Sequence, residues 1–162
     1  MKKHVPNFIT SLNLVSGFIA VILAAEGKIV LASWFIVAAM IFDFLDGFSA
    51  RILQAYSDIG KELDSLADIV SFGIAPAVII FRILADVFST MPMRQIYLSE
   101  HRDLFLIIIA SIMPVCAALR LAVFNTDSTQ SKSFKGLPTP ASALAVISVV
   151  IASNYSESGL LD

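Results

Sequence analysis

Four aspartates between positions 43 and 68 are the residues of this sequence whose type and spacing point most directly to chemistry. They lie in or beside segments apolar enough to cross a bilayer, where a carboxylate costs about 2.5–3.5 kcal/mol at a helix centre. Charged residues at membrane depth usually face a protein interior and mark a functional site. Four carboxylates would also repel one another without a cation. The sequence therefore predicts a divalent-metal site.

The spacing of these aspartates predicts two carboxylate pairs on facing helices. Asp43 and Asp46 are separated by three positions, and Asp64 and Asp68 by four, so each pair lies on one face of a helix. The short polar stretch 54–60 would let the two helices run antiparallel, with their carboxylates converging. Hard oxygen ligands of this kind suit Mg²⁺, Mn²⁺ or Ca²⁺.

Small and basic residues accompany the aspartates at fixed offsets. Gly47 and Ala50 would let a flat or bulky ligand approach the backbone. Arg51 carries a planar cation that can hold a phosphate through two hydrogen bonds. Together with a metal, these residues predict a site for a lipid-linked diphosphate whose charge the cations shield. Taken alone, the aspartate pair could instead be a charge cluster at a helix end. The glycines taken alone could serve only packing or turns.

The composition of the chain excludes a soluble globular domain. Of 162 residues, 57% are hydrophobic, and the mean hydropathy is +0.85. Such apolar residues, gathered in long stretches, are typical of membrane proteins. A single cysteine, Cys116, excludes an intrachain disulfide and a cysteine-based metal site. We interpret residues 1–162 as one transmembrane domain.

Hydropathy predicts an all-α, polytopic helical bundle with five membrane segments. The three residues Glu26–Lys28 leave room only for a tight hairpin between the first two segments. Residues 89–103 are predicted to form a polar loop or a surface helix. Residues 125–136 are predicted to form a second polar loop. The fifth segment is short, because a membrane span needs ~20 residues. We therefore expect a truncated or naturally short version of a longer protein. The predicted segments are 8–25, 29–48, 66–88, 104–124 and 137–152.

Basic residues predict the orientation of the bundle. With the N-terminus in the cytoplasm, seven of the 11 lysines and arginines lie on the inner side, which favours that orientation. This assignment places the aspartates and the loop before Leu137 on the cytoplasmic side.

The run from Asp43 to Asp68 resembles the signature of the CDP-alcohol phosphotransferases, D-x2-D-G-x2-A-R-x8-G-x3-D-x3-D, in every position. The resemblance implies a membrane fold of six or more helices around a cytoplasm-facing cavity, usually in a homodimer. It also implies a reaction in which an alcohol displaces CMP from a CDP-linked lipid. The protein would then be a multi-pass protein of a prokaryotic plasma membrane.

The resemblance also implies roles for individual residues. Asp43, Asp46 and Asp64 would hold one Mg²⁺ or Mn²⁺ ion, and Asp43, Asp64 and Asp68 would contact a second. Asp68 would be the catalytic base that accepts the proton of the incoming hydroxyl. For Asn7 and Thr10 the alternative is helix capping. The implied CDP-lipid contacts are Asn7, Thr10, Gly47, Ala50, Arg51, Ser57 and Gly60.

Two further motifs resemble the phosphatidylserine synthase branch of that family. They are A-L-R-L-A-V-F-N at 118–125 and F-K-G-L-P-T-P-A at 134–141. The resemblance implies that Arg120, Asn125 and Lys135 bind the acceptor. Val123 stands where the branch usually has a second basic residue. The alternative for Arg120 is a positively charged anchor at a helix end.

The implied reaction is transfer of the phosphatidyl group of CDP-diacylglycerol to L-serine, giving phosphatidylserine and CMP. The same chemistry with another acceptor, such as glycerol 3-phosphate, ranks second because a phosphorylated acceptor should demand more cations near Arg120. A divalent-cation transporter is the non-enzymatic alternative. A transporter would not require Gly47, Ala50 and Arg51 at these offsets.

Overall fold

The computed structural model describes residues 4–90, 99–126 and 137–157, and within these residues the chain is helical, with no strand. The predicted all-α class is therefore confirmed. The helices are α1 (His4–Ala25), α2 (Ile29–Ile52), α3 (Asp58–Asp68), a π-helical segment (Ile69–Ile74), α4 (Ala75–Thr90), α5 (Ser99–Thr126) and α6 (Thr139–Glu157).

Helices α1 and α2 form the tight hairpin that the sequence predicts. Gly27 has a φ of 82°, a left-handed conformation that glycine adopts without a steric penalty. Its N–H donates to the carbonyl of Ala24 at 3.0 Å, and the N–H of Lys28 donates to the carbonyl of Leu23 at 2.9 Å. These bonds satisfy carbonyls at the end of α1, as in a Schellman motif. The hairpin brings Asp43 and Asp46 back toward the start of α1.

The buried face of α1 consists of small and polar residues at helical spacing. Small residues let helices approach closely inside a membrane. At Gly17, an added Cβ would lie 2.2 Å from Ser71 Oγ and 2.7 Å from Ser71 Cα. One turn away, the Ser71 hydroxyl donates to the backbone carbonyl of Asn13 at 3.1 Å. This close crossing fixes α1 against the π-helical segment. The buried residues of α1 are Pro6, Thr10, Asn13, Ser16, Gly17, Ala20 and Ala24.

We expect Gly17→Ala to destabilise the protein, because Ser71 Cα is backbone and the two helices must separate to admit a methyl group. Overpacking of this kind typically costs about 1–3 kcal/mol. The measurement is the fraction of monodisperse protein left after heating, by size-exclusion chromatography. Gly47→Ala is the matched control, because no described atom lies within 4 Å of a Cβ built there. Equal thermostability of the two variants would contradict the close crossing.

The third predicted membrane segment, 66–88, lies in a helical stretch that begins about two turns before residue 66. Helix α3 begins at Asp58 because Ser57 caps it: the Ser57 hydroxyl accepts a hydrogen bond from the Gly60 N–H at 3.0 Å. Helix α2 likewise continues to Ile52, four residues beyond the predicted boundary. The link between the helices is therefore 53–57, and all four aspartates lie on helices.

A π-helical segment follows Asp68 directly. The N–H of Ala75 donates to the carbonyl of Val70, five residues earlier. Pro76 comes next and has no N–H to continue an α-helical pattern. Single π-helical turns inside helices are frequent at functional sites. Here the turn carries Ser71 and Phe72, both fully buried, against the neighbouring helices.

In the part of the chain that the structure describes, four helical stretches are long and apolar enough to cross a membrane, by length and composition: His4–Ala25, Ile29–Ile52, Asp58–Phe88 and Leu104–Thr126. The fifth predicted segment corresponds to the apolar part of α6, Thr139–Tyr155, which is shorter than these four. It packs mainly on α2. The apolar core joins α1, α2, α4, α6 and the π-helical segment, through Ala20, Ala24, Ala32, Ile36, Ala39, Phe72, Ala75, Ile79, Ala143, Ile147 and Val150.

Candidate active site

Three of the four aspartates form one compact carboxylate group. Asp43 comes from the last part of α2, and Asp64 and Asp68 come from successive turns of α3. Each offers one carboxylate oxygen, and these three oxygens all lie within 4.8 Å of one another. Such proximity of like charges is unfavourable unless a cation or protons lie between them. The two helices thus converge as the sequence predicts.

Buried oxygens without a partner support the metal interpretation. Oδ1 of Asp64, Oδ1 of Asp68 and Oδ2 of Asp46 are buried and have no hydrogen-bond partner among the described residues. Buried polar atoms are normally satisfied, so each such atom requires an explanation. A divalent cation would satisfy carboxylate oxygens at once, and an all-oxygen donor set suits Mg²⁺ or Mn²⁺. The residues present therefore fit a bound divalent metal.

Asp46 is not a member of the three-carboxylate group, although it is close enough to those carboxylates for electrostatic repulsion. Its side chain is 6% exposed, lies beside Thr10 of α1 and lines a cavity of about 400 Å³. Asp64 lines the same cavity and also belongs to the carboxylate group. The metal role of Asp46 remains a prediction. The two aspartates join the carboxylate group to the cavity.

The cavity contains every residue that the sequence predicts to contact a CDP-lipid. Four helices and the link 53–57 contribute to it: the start of α1, the end of α2, the first two turns of α3 and the end of α5. The cavity is large enough for part of a nucleotide but not for a whole lipid. The lining residues are Pro6, Asn7, Thr10, Asp46, Gly47, Ala50, Arg51, Ala55, Tyr56, Ser57, Gly60, Lys61, Asp64 and Phe124.

The two motif glycines differ in their surroundings. At Gly60, an added Cβ would lie 2.9 Å from Asn7 Oδ1 and 2.9 Å from Ser57 Oγ. Gly60 therefore allows α1 to pass close to the start of α3. At Gly47, no described atom lies within 4 Å of such a Cβ. Because Gly47 lines the cavity, its missing side chain leaves open space for a ligand rather than for a neighbouring helix.

Asn7 and Thr10 lie inside α1 rather than ahead of it, so the capping alternative does not describe them. The Thr10 hydroxyl donates to the carbonyl of Pro6 at 3.1 Å. Ser57 is the residue that caps a helix here, and it faces the cavity as well. Contact of all three with a ligand remains a prediction.

Of the three residues predicted to bind the acceptor, the structure describes Arg120 and Asn125. Arg120 of α5 lies close enough to Asp68 for electrostatic attraction between them. The Asn125 side-chain amide donates to Ser65 Oγ at 2.9 Å, and the backbone carbonyl of Asn125 accepts from Lys61 Nζ at 3.4 Å. These bonds tie the end of α5 to α3. Lys135 lies outside the described residues. Acceptor binding by the three residues remains a prediction.

The structure adds residues to the site that the sequence analysis did not select. The hydroxyl of Thr139, the first residue of α6, donates to Asp68 Oδ2 at 3.4 Å. Tyr56 and Lys61 line the cavity. Of these residues, Thr139 is the one that a sequence motif could have indicated, because it lies in Leu-Pro-Thr-Pro.

Fold and site together define a multi-pass helical membrane protein with a carboxylate group for a divalent cation beside an open cavity. The chain belongs to the CDP-alcohol phosphatidyltransferase family, whose sequence model matches residues 3–161. The predicted family is therefore confirmed. This family is divalent-metal dependent, in agreement with the carboxylate group.

Individual relatives are similar over most of this chain. It is 33% identical over 151 residues to a CDP-diacylglycerol–serine O-phosphatidyltransferase of Helicobacter pylori, covering 92% of this chain and 58% of the relative. It is 32% identical to an archaetidylserine synthase of Methanothermobacter thermautotrophicus, covering 94% and 60%. With the Bacillus subtilis CDP-diacylglycerol–serine O-phosphatidyltransferase it shares 32% identity, covering 90% and 74%. The chain thus spans about three fifths of the length of the first two relatives.

Proposed function

We propose that this protein transfers the phosphatidyl group of CDP-diacylglycerol to the hydroxyl of L-serine, releasing phosphatidylserine and CMP. The observation that carries the proposal is the three-carboxylate group, with its unpartnered buried oxygens, next to a cavity lined by the complete glycine, alanine and arginine set of the motif. Family membership supports the reaction class.

The cavity residues would bind the nucleotide end of the donor. Arg51 and Lys61 provide two cations for the diphosphate, and both line the cavity. Arg51 can form two parallel hydrogen bonds to one phosphate. Gly47 and Gly60 leave room for the ligand and for Asn7 respectively. The apolar tails would extend between helices into the bilayer, because the cavity itself cannot hold them.

Asp68 is the base in this proposal. The serine hydroxyl oxygen attacks the β-phosphorus, which bears the diacylglycerol, while Asp68 accepts the hydroxyl proton. The bond between that phosphorus and the oxygen bridging it to the α-phosphorus breaks, and CMP departs with the bridging oxygen. Two Mg²⁺ or Mn²⁺ ions held by Asp43, Asp46, Asp64 and Asp68 would neutralise charge on the phosphates. Arg51 would retain the leaving CMP.

Serine as the acceptor is supported by the names of the relatives. The Helicobacter and Bacillus relatives are named for serine, and so is the archaeal relative, although its lipid group differs. Arg120, close to Asp68, supplies a cation for the serine carboxylate. We also propose a prokaryotic plasma-membrane location, a cytoplasm-facing site and a homodimer.

The test is CMP release from CDP-diacylglycerol by the purified protein in nanodiscs, with Mn²⁺ or Mg²⁺. L-serine and glycerol 3-phosphate are compared as acceptors, and the lipid product is identified by mass spectrometry. We expect CMP and phosphatidylserine in equal amounts, only with L-serine and only with a divalent metal.

Two results would overturn this proposal. Release of CMP only with glycerol 3-phosphate would keep the reaction class and replace the acceptor. Metal-ion uptake by sealed vesicles without CMP release under any condition would favour the transporter alternative.

A methyl group at Gly47 should impair donor binding without loss of stability. Because the added Cβ of Gly47→Ala projects into open cavity space, it should clash with the ligand and weaken CDP-diacylglycerol binding about tenfold or more. The measurement is displacement of a fluorescent CDP-lipid, with thermostability recorded in parallel. Unchanged affinity would show that the nucleotide does not approach this part of α2.

A further inference from the structure

The carboxylate of Asp68 is held from outside the aspartate motif. The hydroxyl of Thr139 donates to Asp68 Oδ2 at 3.4 Å, across 71 positions of sequence. Both residues are buried, with 4% of Thr139 and 8% of Asp68 exposed. The bond is long, but hydrogen bonds around catalytic groups are often long without ligands and shorten when the site is loaded.

The two oxygens of Asp68 therefore have different environments. Oδ2 accepts the Thr139 hydroxyl, whereas Oδ1 is buried and has no partner among the described residues. Asp68 also belongs to the group of carboxylates that includes Asp43 and Asp64. A hydrogen bond to one oxygen restricts the rotation of the carboxylate about its Cβ–Cγ bond, and so limits where the second oxygen can point.

The local structure of α6 leaves the Thr139 hydroxyl available for this contact. The first turn of the helix is closed by the N–H of Ser142, which donates to the carbonyl of Pro138 at 3.2 Å. The Ser142 hydroxyl donates to the carbonyl of Thr139 at 2.8 Å. Serine and threonine in helices often bond to their own backbone in this way. In contrast, the Thr139 hydroxyl donates to a side chain of α3.

We propose that Thr139 is a positioning residue: it holds Asp68 through Oδ2 and so leaves Oδ1 for the metal and for the acceptor hydroxyl. This inference rests on the proposed function for its catalytic part and on the carboxylate group for its metal part. Hydrogen-bond partners of metal ligands commonly affect metal affinity or activity by about 10–100-fold. The contact also makes α6 part of the site.

The experiment compares Thr139→Val, which keeps the shape and removes the hydroxyl, with Thr139→Ser, which keeps the hydroxyl. Ser142→Ala is the matched control, because it removes a hydroxyl whose bond among the described residues lies within α6. The first readout is Mn²⁺ affinity of the substrate-free protein, measured by electron paramagnetic resonance. The second is kcat and KM for CMP release with serine.

We expect Thr139→Val to raise the Mn²⁺ dissociation constant about tenfold and to lower kcat by at least as much. The KM for CDP-diacylglycerol should stay within about twofold, because Thr139 does not line the cavity. Thr139→Ser and Ser142→Ala should match the unchanged protein within about threefold. If Thr139→Val does not fold, Thr139→Ala takes its place.

A double-mutant cycle tests whether Thr139 acts through Asp68. In an Asp68→Ala background, which removes the hydrogen-bond acceptor, Thr139→Val should cause no further loss of Mn²⁺ affinity. A full additional loss, or equal behaviour of the valine and serine variants, would overturn the inference. Hydroxyl-dependent Mn²⁺ binding without serine-dependent CMP release would keep this positioning role and reject the proposed function. The reverse result would keep the function and reject the positioning role.

Discussion

Asp68→Asn should lower serine-dependent CMP release by about 10²–10⁴-fold, the usual contribution of a general base. The amide keeps the size of the side chain and can still meet the Thr139 hydroxyl, but it cannot accept a proton at neutral pH. CDP-diacylglycerol binding should be largely retained, because Asp68 does not line the cavity that receives the nucleotide. The measurement pairs single-turnover CMP release with equilibrium binding of a fluorescent CDP-lipid.

Asp58→Asn provides the matched control for this charge change. Asp58 lies in the first turn of the same helix, is exposed and is not part of the cavity or of the carboxylate group. Its substitution should leave both measurements within about twofold, as is usual for surface positions. Loss of lipid binding together with turnover in Asp68→Asn would argue against a base and for a role in holding the donor.

Asp43→Asn should abolish tight metal binding and turnover together. Asp43 is the only member of the three-carboxylate group that comes from α2, so it completes the group from the opposite helix. Its loss leaves the two aspartates of α3 without that ligand. We expect Mn²⁺ affinity to fall at least tenfold, and CMP release to fall about 10²-fold or more.

The Mn²⁺ affinity of the substrate-free protein is the decisive readout for Asp43. The result separates a metal ligand from a residue needed only for packing, because thermostability without metal should not fall. With two like charges in place of three, the thermostability of the metal-free protein should rise or stay the same. Unchanged Mn²⁺ affinity would contradict the carboxylate group as a metal site. The Asp58→Asn variant again serves as the control.

The sequence was sufficient for the fold class, the membrane segments and most of the cavity lining. Long apolar stretches determine which segments can cross a bilayer, whatever their partners. Helical periodicity puts Asp64 and Asp68 on one face without any tertiary information. The hairpin at Glu26–Lys28 follows from its length alone. The helix of the third segment begins before the predicted segment, because the first turns of α3 are polar and Ser57 caps the helix.

Only the tertiary structure decided which side chains meet. It groups Asp43 with Asp64 and Asp68, and directs Asp46 toward Thr10 and the cavity. The spacing of the aspartates in the sequence cannot distinguish these two placements, because they depend on how α1 and α3 pack against α2.

The contacts that join distant parts of the chain were beyond sequence patterns for the same reason. Gly17 meets Ser71, and Thr139 meets Asp68, across 54 and 71 positions respectively. A glycine or threonine in an apolar helix has many possible partners, and helix packing selects one of them. Residue types and local spacing thus determined which chemical groups this protein carries, whereas packing between helices determined which of these groups lie next to one another.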